Sequence, residues 1–276
     1  MIRSLFLILA LAAGWSAQAQ TEKRIIPKSQ QQAAEQRKTD KRLEEIQDSI
    51  DYAKAVQALE NLGIEPIVFR GQERSGKCVS LISADGERTM VTHLGAALEL
   101  SAEEIEPTIF DGYDCLYIEG YLVQSHELIL KAARTAKECG LEVAIDLASF
   151  NIVAENLTFL RELVREYVDI VFANEDEAKT FTCEAEPLNA LQAISEMAGL
   201  AVVKIGTKGA LIKRGDEVVH VGIMAAARRV DTTGAGDFYA AGFLYGMCAG
   251  LSLRQCGTIG AITAATKTNS EILATF

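Results

Sequence analysis

Histidine is scarce in this chain, with three in 276 residues. His93, His126 and His220 are scattered, and their spacing fits neither a metal cluster nor a catalytic triad. Each is read as a structural or surface residue. The six cysteines, Cys78, Cys115, Cys139, Cys183, Cys248 and Cys256, include no C-x-x-C pair and match no zinc pattern. Most sit in apolar runs, so buried, reduced thiols are expected. A basic surplus is missing as well. The formal charge is −11. An acidic surface argues against nucleic acid as a partner but leaves room for a nucleotide, which needs only a local anion site. No internal repeat, low-complexity tract or stable membrane span is visible. What remains is ordinary globular composition, 49% hydrophobic over 276 residues. That is enough for one large domain, or one domain with an appendage.

The chain divides into three materials. Residues 1–20 read as a signal-peptide-like leader: Arg3 is the only charge, Leu5 to Ala13 is a short apolar run, and Ala17-Gln18-Ala19 offers a small-x-small cleavage site. Residues 21–61 are charged. Leu43, Ile46, Ile50, Ala53, Val56 and Leu59 recur three or four apart, the pattern of an amphipathic helix from about 31 to 61, stopped by Gly63 and Pro66. From residue 62 to 276 the pattern is globular. Strands are predicted at Glu65–Phe69, Cys78–Ile82 and Arg88–His93, with a hairpin turn at Ala84–Glu87. Beyond them, strands alternate with helices. Strands are expected at Cys115–Glu119, Val143–Asp146, Asp169–Ala173 and Ala201–Ile205. Helices are expected at Ser125–Cys139, Ile152–Tyr167, Glu175–Phe181 and Leu188–Met197. A hairpin follows (Ala210–Lys213 and Val218–Val221), then a helix after Gly234 and another from Ser252 to about Thr266. Repeated β-α alternation implies an α/β fold with a mainly parallel sheet covered on both faces.

Four stretches could carry chemistry. Gly71-Gln72-Glu73-Arg74-Ser75-Gly76-Lys77 has the spacing of a phosphate-binding loop. Cys78 stands where that motif needs Ser or Thr, and a strand rather than a helix follows, so a plain inter-strand turn is expected. Asn174-Glu175-Asp176-Glu177 follows a strand directly, at the edge where open α/β sheets hold ligands. Glu177 could face a magnesium ion beside a nucleotide, or the pair could simply cap a helix. Lys204-Ile205-Gly206-Thr207-Lys208-Gly209 lies at another strand end, where its glycines permit a tight turn. The strongest stretch is Asp231-Thr232-Thr233-Gly234-Ala235-Gly236-Asp237. It feeds an apolar run with Phe238, Ala241, Gly242 and Tyr245 at helical spacing. Free amides and the positive end of a helix dipole would meet an anion there. A carboxylate in that first turn would repel phosphate, unless Asp237 is there to take a proton from a hydroxyl attacking it.

Taken together, Asp231-Thr232-Thr233-Gly234-Ala235-Gly236-Asp237, Asn174-x-x-Glu177 and Lys204-x-Gly206-x-x-Gly209 resemble, in family order, the motifs of the ribokinase-like (PfkB) sugar and nucleoside kinases. Asp85-Gly86-Glu87-Arg88-Thr89-Met90, with Leu94-Gly95-Ala96-Ala97, is similar to the adenosine-kinase-like branch. The resemblance implies a three-layer α/β/α fold over 62–276, with 65–95 as a remnant of the family's β-lid. It implies ATP and Mg2+ as cofactors, with K+ at a monovalent site. By resemblance, Asp237 is the general base. Gly234, Ala235 and Gly236 form the anion hole, Asn174, Lys204, Gly206 and Gly209 hold the nucleotide, and Glu177, Asp231 and Thr233 serve metal ions. The implied partner is a small sugar or nucleoside, and the implied compartment is the cytoplasm, against the export suggested by the leader. The family's opening strands, substrate-binding aspartate and Gly-Gly-Asn motif are not visible, so the kinase half is expected to be incomplete at its N-terminal side. Three functions stay open on sequence alone: an ATP-dependent kinase, a non-catalytic nucleotide-binding remnant of one, and an exported interaction protein.

Overall fold

A computed structural model describes residues 6–9, 53–69, 71–82, 88–224 and 234–269. Two compact units emerge: Met1–Leu11 with Ser101–Thr275, and Ala12–Leu100 with Phe276. Of the leader segment only a strand, β1 (Phe6–Leu9), is described. Of the charged segment, residues 53–61 form helix α1. The rest of both segments, and the Ala84–Glu87 turn, lie outside the described residues.

In the unit Ala12–Leu100, β2 (Ser75–Ile82) pairs antiparallel with β3 (Arg88–Gly95), Val79 facing Val91. The expected strand at Glu65–Phe69 does not form. That stretch is irregular and leaves Ile67, Val68 and Phe69 exposed. Its β-branched residues have no partner strand in either sheet among the described residues, and Pro66 could donate no ladder bond. Of the phosphate-loop-like segment, residues 71–74 contain a bend and Ser75, Gly76 and Lys77 already belong to β2, so no helix follows it and the expected turn between two strands is only a lead-in to one. Its Gln72 and Glu73 amides donate to the Glu99 carboxylate at 2.6 and 2.7 Å, so these donors are turned to an acid within the same unit.

The other unit is an α/β sandwich. Its elements run β4 (Cys115–Glu119), α2 (His126–Glu138), β5 (Glu142–Asp146), α3 (Phe150–Glu155), α4 (Leu157–Tyr167), β6 (Ile170–Asn174), α5 (Glu175–Thr182), α6 (Pro187–Ala198) and β7 (Leu200–Lys204). Then come β8 (Ala210–Arg214), β9 (Glu217–Val221), α7 (Ala235–Cys248) and α8 (Leu253–Asn269). The sheet order is β1-β4-β5-β6-β7-β8-β9. Pairing is parallel from β1 to β7 and antiparallel at β8 and β9. The central strands read as continuous apolar runs because both of their faces are covered; Val171, Phe172 and Ala173 are fully buried.

Topology decides which helices cover which face. Successive right-handed crossovers from β4 to β7 all advance in one direction, so α2, α4, α5 and α6 fall on one side of the sheet. Only after the β8–β9 hairpin does the chain return on the other side. There α7 and α8 close a core of Tyr117, Ala144, Phe172, Val202, Tyr239 and Phe243. Phe172 anchors it, edge-on to Phe243 at 5.5 Å and to Tyr117 at 6.3 Å.

One expectation about a helix is corrected. The helix expected at Ile152–Tyr167 is broken at Asn156, whose Nδ2 donates to the Ile152 carbonyl at 3.0 Å and whose Oδ1 lies 2.8 Å from His126 Nε2. A side chain that competes for the helix's own carbonyls is a natural break point. In α7 the residues at helical spacing after Gly236 do not share one environment: Gly242 is buried and Ala241 is exposed. Phe238 and Tyr245 are exposed, and the buried residues include Tyr239, Ala240, Phe243 and Leu244. Because α7 is apolar nearly all round, its periodicity carries no phase. The cysteines are in no disulfide, as expected, but only Cys115 and Cys256 are buried, while Cys139 and Cys183 are exposed.

Candidate functional site

The site grows out of strand register. Side chains one strand apart in a parallel pair point to the same face. Glu119 pairs with Asp146, and Asn174 with Lys204. Asp146 in turn pairs with Phe172 of the α7-side core. The last residues of β4, β5, β6 and β7 therefore line up along one sheet edge, on the face where α7 begins. That is the carboxyl edge, where open α/β sheets bind ligands.

Lys204 ties this edge to α7. Its Nζ donates to Asp146 Oδ2 at 2.7 Å, in an ion pair largely shielded from water. A Cβ placed on Gly236 would lie 3.1 Å from the same Nζ, so the ammonium sits against the first turn of α7. A cation there is at the wrong end of the helix dipole, unfavourable by about 0.3–1 kcal/mol for a side chain in that position. Asp146 offsets part of that repulsion. Its other oxygen, Oδ1, accepts from the Ala148 amide at 3.1 Å, and Ala148 holds a left-handed φ of 64°. Gly120 lies so close to the Asp146 carbonyl that a side chain there would collide with it.

Asn174 and Glu177 form a complete capping box. The Glu177 amide donates to Asn174 Oδ1 at 2.9 Å, and the Glu177 carboxylate accepts from the Asn174 amide and Nδ2 at 2.7 and 2.6 Å. The capping alternative is thus realised in the structure, yet Glu177 is only 2% exposed, unusual for a mere cap. Gly206–Lys208 is a turn of 3-10 helix. It ends at Gly209, whose φ of 98° and contact with the Val221 carbonyl both exclude a side chain. Gly234 has a left-handed φ of 73° and opens α7, with Ala235, Gly236 and Asp237 as its first residues. Their amides have no acceptor within the helix by position. Asp231 and Thr233 lie outside the described residues. The structure therefore brings together Asn174, Glu177, Lys204 and the Gly234–Asp237 turn, with Gly206 and Gly209 in the turn after β7. It adds Glu119, Gly120 and Asp146, which motif reading missed. The available signal was an acidic residue closing each of two apolar strand runs.

Electrostatics follows from four carboxyl groups around one ammonium. Burial, then the Asp146 charge, then the Asp237 charge push Glu119 up to about 8, against Lys204. Burial and Asp146 push Glu177 up to about 7. Asp237 is raised by burial and by Asp146, with Lys204 opposing. For Lys204, burial pulls down, but the Asp146 ion pair and hydrogen bond, with Glu177 and Asp237, hold it above its usual range. Lys204 is therefore a stable cation, and Glu119, Glu177 and Asp237 are shifted toward neutrality, the direction that suits proton acceptance. The Tyr117 hydroxyl, raised by burial and then by Asp146 and Glu119, is buried on the same face without a hydrogen-bond partner among the described residues.

Among the described residues no group of three or more His, Cys, Asp or Glu could hold a metal ion. Mg2+ keeps several waters and takes one or two carboxylates plus substrate phosphates. A single buried carboxylate such as Glu177 is compatible with that sparse role. No helix among the described residues is long and apolar enough to cross a membrane.

A mainly parallel sheet with helices on both faces, and a glycine turn and helix N-terminus beside its carboxyl edge, are the marks of a known kinase class. Residues 51–273 match the pfkB family of carbohydrate kinases, and the chain belongs to that family. Among solved structures it is similar to adenosine kinase from Sinorhizobium meliloti: 34% identity, TM-score 0.73, 78% of this chain and 68% of that one. A probable sugar kinase from Rhizobium etli CFN 42 is 33% identical, TM-score 0.73, over 78% and 67% of the two chains. Guanosine-inosine kinase of Escherichia coli K12 is 31% identical over 140 residues, 49% of this chain and 32% of the relative. The chain thus spans about a third of that curated relative's length.

Proposed function

We propose that the chain is an ATP-dependent phosphotransferase acting on the hydroxymethyl group of a sugar or nucleoside, with adenosine slightly favoured. The observation that carries this is the Lys204 ammonium held against Gly236, 2.7 Å from Asp146, at the start of α7. Two positive features converge on one space, and an anion is what such a space stabilises. Asp237, in the same first turn, is the proposed base. It takes the hydroxyl proton as the acceptor oxygen forms a bond to the γ-phosphorus and the bond to the β-γ bridging oxygen breaks, releasing ADP. The amides of Gly234, Ala235 and Gly236 face the charge on the transferring group, worth several kcal/mol when such donors are preorganised. Asn174, Lys204, Gly206 and Gly209 hold the nucleotide. Glu177, directly or through water, holds Mg2+, which when bound neutralises phosphate charge. Asp231 and Thr233 are the proposed K+ site. The names of the nucleoside-kinase relatives support a nucleoside acceptor.

The test is formation of ADP from MgATP with adenosine, guanosine, ribose or fructose, with K+ present, using the full chain. Asp237→Asn is expected to lower turnover by about 10²–10⁴-fold, the usual worth of a positioned base, with nucleotide affinity little changed. Turnover by wild type that Asp237→Asn leaves intact refutes the assignment of the base. Nucleotide binding without turnover on any acceptor favours the non-catalytic reading.

A further inference from the structure

Asp146 has no part in the motifs that define the site, yet both of its carboxylate oxygens are held. It closes β5 and is 6% exposed. One oxygen accepts from the Ala148 amide at 3.1 Å and the other from Lys204 at 2.7 Å. Ala148 itself sits at φ 64°, a conformation that costs a non-glycine residue about 1 kcal/mol or more. The loop after β5 is thus bent so that one amide fixes one carboxylate oxygen. The fixed carboxylate reaches past β6, which lies between β5 and β7 in the sheet, to the lysine that touches Gly236. A long lysine side chain otherwise carries about 2 kcal/mol of rotamer entropy.

We propose that Asp146 is a positioning residue for phosphoryl transfer: through Lys204 it fixes where positive charge meets the transferring group. This rests on the kinase reading above. Asp146 touches neither the nucleotide nor the acceptor in this scheme. Its negative charge works against phosphate binding as such, and its benefit appears only where the ammonium must stand at one point, in the transition state. The two effects have opposite signs and can be separated. A group that merely supported the fold would move ground-state and transition-state affinity together.

The experiment uses calorimetry on the full chain with two probes. One is MgAMP-PNP, for the ground state. The other is MgADP with aluminium fluoride, which mimics the phosphoryl group in transfer. For Asp146→Asn, affinity for MgAMP-PNP is expected within threefold of wild type or tighter, and the aluminium fluoride complex is expected to weaken about tenfold. Lys204→Met is expected to weaken that complex about 100-fold, the scale of losing one preorganised donor. The double variant is expected to be no weaker than Lys204→Met alone, because a residue acting through another has no effect once the other is gone. Asp146→Asn leaves a buried ammonium unpaired; should it not fold, the comparison of Lys204→Met with the double variant carries the test, since the latter removes both charges. A double variant at least threefold weaker than Lys204→Met overturns the proposal, as does an Asp146→Asn variant that weakens both probes equally or neither. Wild type that binds neither probe overturns the kinase reading and this proposal with it, an outcome distinct from the others.

Discussion

Replacing Glu119 with glutamine should make the chain more stable at alkaline pH while changing little in acid. In the folded state the Glu119 carboxyl is raised from 4.5 to about 8, first by burial and then by Asp146 and Asp237. In the unfolded chain it titrates near its ordinary value. Between those limits the folded state binds a proton that the unfolded state has lost, so stability declines as pH rises from about 4.5 to about 8 and is flat beyond. At about 1.4 kcal/mol per pH unit, the full span gives an upper bound of about 5 kcal/mol. Glu119 is only partly shielded, and water relaxes around an ionised group, so about 2 kcal/mol is the working figure. Glutamine keeps the shape and a donor but never ionises. The variant and wild type should therefore converge near pH 4.5 and differ by about 2 kcal/mol at pH 9, a melting difference of about 4–8 °C for a chain of this size. Circular dichroism melts at half-unit steps from pH 5 to 9 give the curve, with urea midpoints at constant m as the check. Parallel curves for the two proteins would refute the reasoning, because they would mean that the proton held near Asp146 is not on Glu119.

Other substitutions examine the frame around the site. Phe172→Ala removes the ring that Tyr117 and Phe243 pack against and should cost about 3–5 kcal/mol in urea unfolding; a loss below 1 kcal/mol would mean that the α7 face does not close on β6. Gly209→Ala forces a side chain into a left-handed position against the Val221 carbonyl and should cost about 2 kcal/mol or more. Its β8–β9 amides should exchange faster in hydrogen-exchange measurements, and unchanged protection would contradict the turn.

How much of this was legible in the sequence differed from residue to residue. The strand runs of β4 to β9 and the order of the three motifs could be read directly, because apolar runs bounded by glycine or acid carry their own limits. The Asn174–Glu177 pair could be read in two ways, and the structure shows why: one geometry serves both, a capping box whose acid is also buried at the edge. Asp146 and Glu119 were hidden because their one local mark, an acid closing an apolar strand run, belongs to no motif. Asp146 becomes a partner of Lys204, 58 residues away, only through pairing across three strands. The missing strand at Glu65–Phe69 shows the reverse error, a β-rich composition with no partner. In α7 Phe238 and Tyr245 are exposed while Gly242, at the same helical spacing, is buried, because a helix apolar on all sides cannot announce which side is inside.

The ammonium pressed against the first turn of α7 has a practical consequence. On the proposed reading that an anion sits at this turn, a small anion from the solvent that takes its place adds RT ln(1 + [L]/Kd) to the measured stability. Phosphate and sulfate are then expected to act as silent ligands rather than inert buffers. Melting temperatures recorded in them should exceed those in a bulky zwitterionic buffer at equal ionic strength, and the excess should vanish in Lys204→Met. The choice of purification buffer will decide whether the chain is handled empty or filled, and nucleotide affinities measured in phosphate will be those of a competition.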